Sequence, residues 1–181
     1  MEWVAIVAGL VLAEYLFFTV RAGVVRGRHE VAAPSMTGHP AFERAVRVQG
    51  NSLEQLIVFL PALWIFARFV SPPGAALLGL VFLVGRALYW RGYVQDPPRR
   101  GPGFLIGLVA TALLLTGGIL GILVGAGGPL YVGALYNMPV PISPASVVVA
   151  FGVSLAVGIF FGLYPARRAA SMNIVDALVR E

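Results

Sequence analysis

Long apolar runs alternate with short polar breaks along this chain, and the runs have the length of membrane crossings. About 20 apolar residues are needed for a helix to cross hydrocarbon, and residues 3–20, WVAIVAGLVLAEYLFFTV, predict a first span. A signal peptide is the rival for that run. The missing basic leader, the internal Glu14 and the lack of a small-residue cleavage site argue against it. A polar loop follows at 21–41, holding Arg21, Arg26, Arg28, His29 and His39. The second helix is expected from about Pro40 to Val70, since proline suits a first helical turn. A tight uncharged turn, Ser71-Pro-Pro-Gly74, precedes a third span over 75–93. A basic loop then leads to a fourth span over 104–124. Residues 125–144 are Gly/Pro-rich and uncharged and predict an outer loop, with room for a short interfacial helix anchored by Tyr131 and Tyr136. A fifth span is expected at about 145–164, followed by an amphipathic tail. The expected fold is thus all-α, a four-helix membrane bundle plus a fifth C-terminal transmembrane helix.

Within this pattern one stretch stands out, FERAVRVQGNSLEQ at 42–55. A helix turns about 100° per residue. Arg44, Arg47, Asn51 and Glu54 therefore fall within a stripe roughly 80° wide. Charged groups near hydrocarbon face a bundle interior or a wet cavity. The stripe fits a polar ligand site at one membrane surface. It equally fits an Arg47–Glu54 salt-bridge ladder that fastens helices together. On the third span Arg86, Tyr89 and Tyr93 share a second face. Tyr93 is also what an interfacial anchor looks like. Arg86 lies deeper and needs a partner, for which Glu54 and Glu14 are the candidates. Glu14 and Arg86 are accordingly read as structural intramembrane charges.

Composition and charge sharpen this picture. The 181 residues are 59% hydrophobic and 12% charged, with a mean hydropathy of +0.86. Soluble domains are far more polar. The net charge is +5 and every cation is arginine. Arginine gathers in the first loop, in the loop after the third span and in the tail, and is missing from 71–74 and 125–144; Arg68 is the exception. With five spans those basic segments share one side, so the N-terminus is expected outside and the C-terminus in the cytoplasm. Topology explains the charge better than nucleic acid does, and no nucleic-acid partner is expected. Cysteine is absent and both histidines lie in one loop, so no metal centre is expected.

The chemistry such a mouth suits is a small anion carrying several carboxylates and one ammonium. Arginines clamp carboxylates in pairs, Asn51 reads an amide, and Glu54 meets the amine. A thiol beside an arginine ionises more readily.

On FERAVRVQGNSLEQ, and on GRALYWRGY followed by Arg99 and Arg100, residues 1–124 resemble the MAPEG superfamily, the membrane-associated proteins in eicosanoid and glutathione metabolism. The resemblance implies a four-helix protomer in a homotrimer, with glutathione as co-substrate between protomers at the cytoplasmic side. It implies Arg26, Arg44, Arg47, Asn51, Glu54, Tyr89 and Tyr93 as glutathione-binding residues, and Arg100 as the catalytic, thiolate-stabilising one. Arg28 competes with Arg26 for its role, and Arg99 with Arg100. The implied activity is that of a membrane glutathione transferase or peroxidase acting on an apolar small molecule that enters from membrane lipid. A bacterial inner membrane is the expected location. Two departures stand out: Gln55 replaces a tyrosine of several members, and Asp96 brings an acid close to the thiolate. Residues 145–181, with GIFFGLYPARRAA and a closing ALVRE, resemble the last transmembrane helix and tail of FtsX-like, macrolide-export-type ABC transporter permeases, as in a fusion. The alternative function is a non-enzymatic membrane assembly module or an ABC permease fragment.

Overall fold

The computed structural model describes residues 1–136. Four long helices carry it: α1 (Glu2–Arg28), α2 (Pro40–Phe69), α3 (Pro72–Gln95) and α4 (Gly101–Tyr136). A 3₁₀ turn, Pro97–Arg100, joins α3 to α4. The starts follow ordinary capping rules. His39 Nδ1 accepts from the Ala41 amide ahead of α2, and Ser71 Oγ accepts from the Gly74 amide ahead of α3. Prolines occupy the first turn of both helices, where their missing N–H costs nothing. Each of the four is long and apolar enough to span a membrane.

These four helices occur where the apolar pattern places them, with corrections at the edges. The first helix runs to Arg28, so Arg21, Arg26 and Arg28 sit on its last turns rather than in a loop. The outer loop does not begin at 125, because α4 continues through GAGGPLYVGALY to Tyr136. Glycine costs only about 1 kcal/mol per residue against alanine in a helix, which does not by itself end a helix already propagating. The fifth span at 145–164, the permease-like tail and residues 137–144 lie outside the described residues.

The compact unit Met1–Val132 is held by side chains interleaved among the helices. Phe59 of α2 stacks on Phe82 of α3, ring centroids 3.8 Å apart and 11° from parallel. Val4, Val11, Leu63 and Leu114 close around them without exposure. Lipid is as apolar as these side chains, so close packing rather than flight from water holds such helices together. Small residues allow that closeness at the α3–α4 joint. A Cβ on Gly85 would meet the Gly107 amide nitrogen at 2.8 Å. A Cβ on Gly103 would overlap the backbone of Leu88 and Tyr89. This joint brings the start of α4, and Arg100 before it, against the tyrosines of α3.

Candidate ligand groove at the polar end of the bundle

The polar residues of α2 and α3 meet at the end of the bundle where the α1–α2 loop and the 3₁₀ turn also lie. Tyr89 and Tyr93 are one helical turn apart, their rings 5.6 Å between centroids. Arg86 sits under Tyr89, its guanidinium carbon 4.2 Å from the ring centre. Arg100 sits over Tyr93 at 5.2 Å. A cation thus caps each end of the tyrosine pair, Arg86 in the buried interior and Arg100 at the surface, contacts that the ring quadrupole favours. Arg86 and Tyr89 are each only 3% exposed, while Arg100 is open.

Two adjacent hollows open beside these side chains. One, of about 540 Å³, is lined by Arg47, Asn51, Tyr89, Tyr93, Arg100 and Phe104. The other, of about 550 Å³, shares Arg47, Asn51 and Tyr93 and extends past Glu54, Glu43 and Arg44 to Met36 and Thr37. Both fall in the range of small-molecule sites. The structure therefore brings Arg47, Asn51, Glu54, Tyr93 and Arg100 to one groove, with Tyr89 at its inner wall.

The expected partners are rearranged in four places. Arg86 pairs with neither Glu54 nor Glu14: it donates to Asn51 Oδ1 at 3.2 Å and to Ser52 Oγ. Glu14 instead lines a void of about 10 Å³ together with Arg86, Tyr15 and Ser52. The Arg47–Glu54 ladder does not form. The one ion pair among the described residues joins Arg99 to Asp96 at 3.5 Å, and Glu54 accepts from Asn51 Nδ2 at 3.3 Å. Arg44 lines the groove, but its Nη1 donates to the carbonyls of Val94 and Gln95 at 3.2 and 3.4 Å, closing the end of α3. Arg26 is not among the groove-lining residues. Its guanidinium lies 4.6 Å from the centre of the Phe42 ring, and it reaches Ala32 and Met36 of the adjoining loop.

The Asp96 departure loses its force for the same reason. Its charge is met by Arg99, whose side chain points away into solvent at 72% exposure. Arg100 is left facing the groove. Ser52 is the residue that sequence reasoning missed. It is 3% exposed, and its position four residues from Val48 and from Leu56 put a hydroxyl on the buried face of α2. That signal was available.

The groove can hold an anion. Arg47 and Arg100 supply guanidinium forks, Asn51 an amide and Glu54 a carboxylate. No group of three or more histidine, cysteine or acidic residues suited to a metal occurs among the described residues.

Comparison with known proteins places the helices that carry these residues in a family. The MAPEG family model matches residues 4–120. An uncharacterised protein of Synechocystis sp. is 43% identical over 121 residues, covering 67% of this chain and 88% of that protein. Microsomal glutathione S-transferase 2 of Homo sapiens is 36% identical over 118 residues, 65% of this chain and 80% of its own length. Leukotriene C4 synthase of Bos taurus is 36% identical over 100 residues, 54% of this chain and 67% of its own. The match runs from α1 through α3 and into α4, and the chain is an integral membrane protein that belongs to the MAPEG family.

Proposed function

We propose that the groove binds glutathione and presents its thiol, as the thiolate, to an apolar electrophile arriving from the bilayer. The observation that carries this reading is the placement of Arg100 over Tyr93 in one hollow with Arg47 and Asn51. Arg47 takes a carboxylate of the tripeptide, Glu54 its ammonium, and Asn51 a peptide or carboxylate oxygen. Arg100 stabilises the sulfur anion electrostatically, a fixed positive charge where negative charge must reside. Tyr89 and Tyr93 wall the site. The names of two relatives, a glutathione S-transferase and a leukotriene C4 synthase, favour the same substrate class. That Arg47 and Glu54 are free of one another speaks for a site over a structural ladder.

The chemical step is nucleophilic substitution or addition. With an aryl chloride, the thiolate sulfur bonds to the ring carbon bearing chlorine. The carbon–chlorine bond then breaks, chloride leaves, and the thiol proton has already passed to water. Holding the two reactants together supplies much of the acceleration. Association as a homotrimer, with the groove closed by a neighbouring protomer and Arg26 of one protomer turned toward the groove of another, belongs to this reading. So does a cytoplasmic position for the groove, on the side of the arginine-rich loops.

The test is direct. Purified protein should be retained on immobilised glutathione, show thiolate absorbance with glutathione, and conjugate a chlorinated dinitrobenzene. A protein that does none of these is not a glutathione transferase.

A further inference from the structure

The Asn51 carboxamide lies between two side chains of opposite hydrogen-bonding character. On one side is Arg86, 3% exposed and set on α3. Its guanidinium has donors and no acceptor. On the other is Glu54, whose ionised carboxylate accepts only. The amide therefore has one orientation that satisfies both, Oδ1 toward Arg86 at 3.2 Å and Nδ2 toward Glu54 at 3.3 Å. Arg86 is itself pinned. Its second terminal nitrogen donates to Ser52 Oγ, and that hydroxyl donates to the Val48 carbonyl at 2.7 Å. Tyr89 covers the guanidinium face. Its Nε is buried without a protein partner, beside the side of the bundle where Glu14 and Arg86 share a void of about 10 Å³. A void of that size takes one water.

We propose that Arg86 is a positioning residue for the groove: through Asn51 it dictates that the carboxamide offers its N–H₂ end, and so makes the groove select a ligand oxygen at that point. Without Arg86 only Glu54 still holds the carboxamide, so it is fixed at one end instead of two and offers its N–H₂ end to a ligand oxygen less firmly. The buried charge thus acts on specificity from outside the groove, which none of its own atoms line. The affinity consequences rest on the glutathione reading; the orientation of the carboxamide does not.

The experiment uses the full chain in detergent with isotope-labelled asparagine side chains. The asparagines are Asn51, Asn137 and Asn173, and Asn51→Ala identifies the Asn51 signal by its loss. In the wild type the Asn51 amide should be shifted and slow to exchange with solvent. In Arg86→Met it should move to the free-amide position and exchange faster. Arg86→Lys, which keeps the buried charge if Met prevents folding, should move it part of the way. An Asn51 signal unchanged in these variants overturns the proposal. Glutathione titration is the second arm. Arg86→Met should weaken affinity about tenfold, the loss of roughly one net hydrogen bond, yet add no further loss on top of Asn51→Ala. Equal losses in both backgrounds mean that Arg86 is merely structural, and the proposal fails. A wild type that does not bind glutathione sinks the transferase reading, while the amide signal still decides the role of Arg86.

Discussion

Arg100 lies with its guanidinium carbon 5.2 Å from the centre of the Tyr93 ring, while its neighbour Arg99 reaches back to Asp96 at 3.5 Å. One residue of chain separates a cation that faces the groove from one that faces solvent. The 3₁₀ turn Pro97–Arg100 makes the difference, because successive side chains there project about 120° apart. Arg100→Ala should therefore lower kcat about 100-fold, the scale of losing one group that stabilises an anion. Arg99→Ala should leave kcat within about twofold, since an exposed ion pair contributes little. Steady-state conjugation rates for the two variants check this. Equal losses would mean that both arginines reach the thiolate.

Gly103 fixes how closely α4 approaches Tyr89. A methyl there would overlap the backbone of Leu88 and Tyr89, which cannot move without shifting the whole helix. Gly103→Ala should lower both thermal stability and turnover. Gly101→Ala, where a Cβ meets nothing within 4 Å, should lower both far less. Thermal unfolding in detergent, alongside the conjugation assay, distinguishes the two.

Arg44 and Arg47 share a stripe but not a task. Arg44 closes the end of α3 through the Val94 and Gln95 carbonyls, whereas Arg47 makes no side-chain hydrogen bond or ion pair among the described residues. Arg44→Ala should cost about 1 kcal/mol of stability and alter glutathione affinity less than Arg47→Ala does. The Arg47 variant should weaken binding while leaving the melting temperature near that of the wild type. Because Arg47 is open to solvent, the wild-type dissociation constant should also rise with ionic strength. Calorimetric titration at several salt concentrations measures this.

The stacked pair Phe59 and Phe82 is the centre of the packing between α2 and α3. Both rings are fully buried. Phe82→Ala should destabilise by roughly 3–5 kcal/mol, as removal of a buried ring does. Phe82→Leu should lose less than half of that. Reversible unfolding in mixed micelles gives the comparison, and a loss below about 1 kcal/mol would show that lipid or detergent fills the space.

Much of the groove was legible in order along the chain, for a local reason. Arg44, Arg47, Asn51 and Glu54 share a face because helical periodicity acts over a few residues, and the apolar composition of the flanking runs makes helix the only economical backbone in a membrane. The same argument set out five spans, of which the four within the described residues are present, and the facing of Arg86, Tyr89 and Tyr93.

Which partner each side chain takes was not legible, because it depends on distances between helices. Arg86 turned to Asn51 and Ser52 rather than to Glu14 or Glu54, since the glycine-lined α3–α4 joint and the stacked phenylalanines set how α3 meets α2. Arg44 was drawn to the end of α3 for the same reason, and Arg26 was held by Phe42. The continuation of α4 past residue 125 also escaped the sequence, because glycine only weakens helix propensity and cannot alone mark where a helix ends. By itself the sequence determined the helices, their polar faces and the chemistry those faces can offer. The tertiary structure alone decided which of those groups neutralise one another and which stay open to a ligand, because pairing is settled by a few ångströms between elements that the chain keeps far apart.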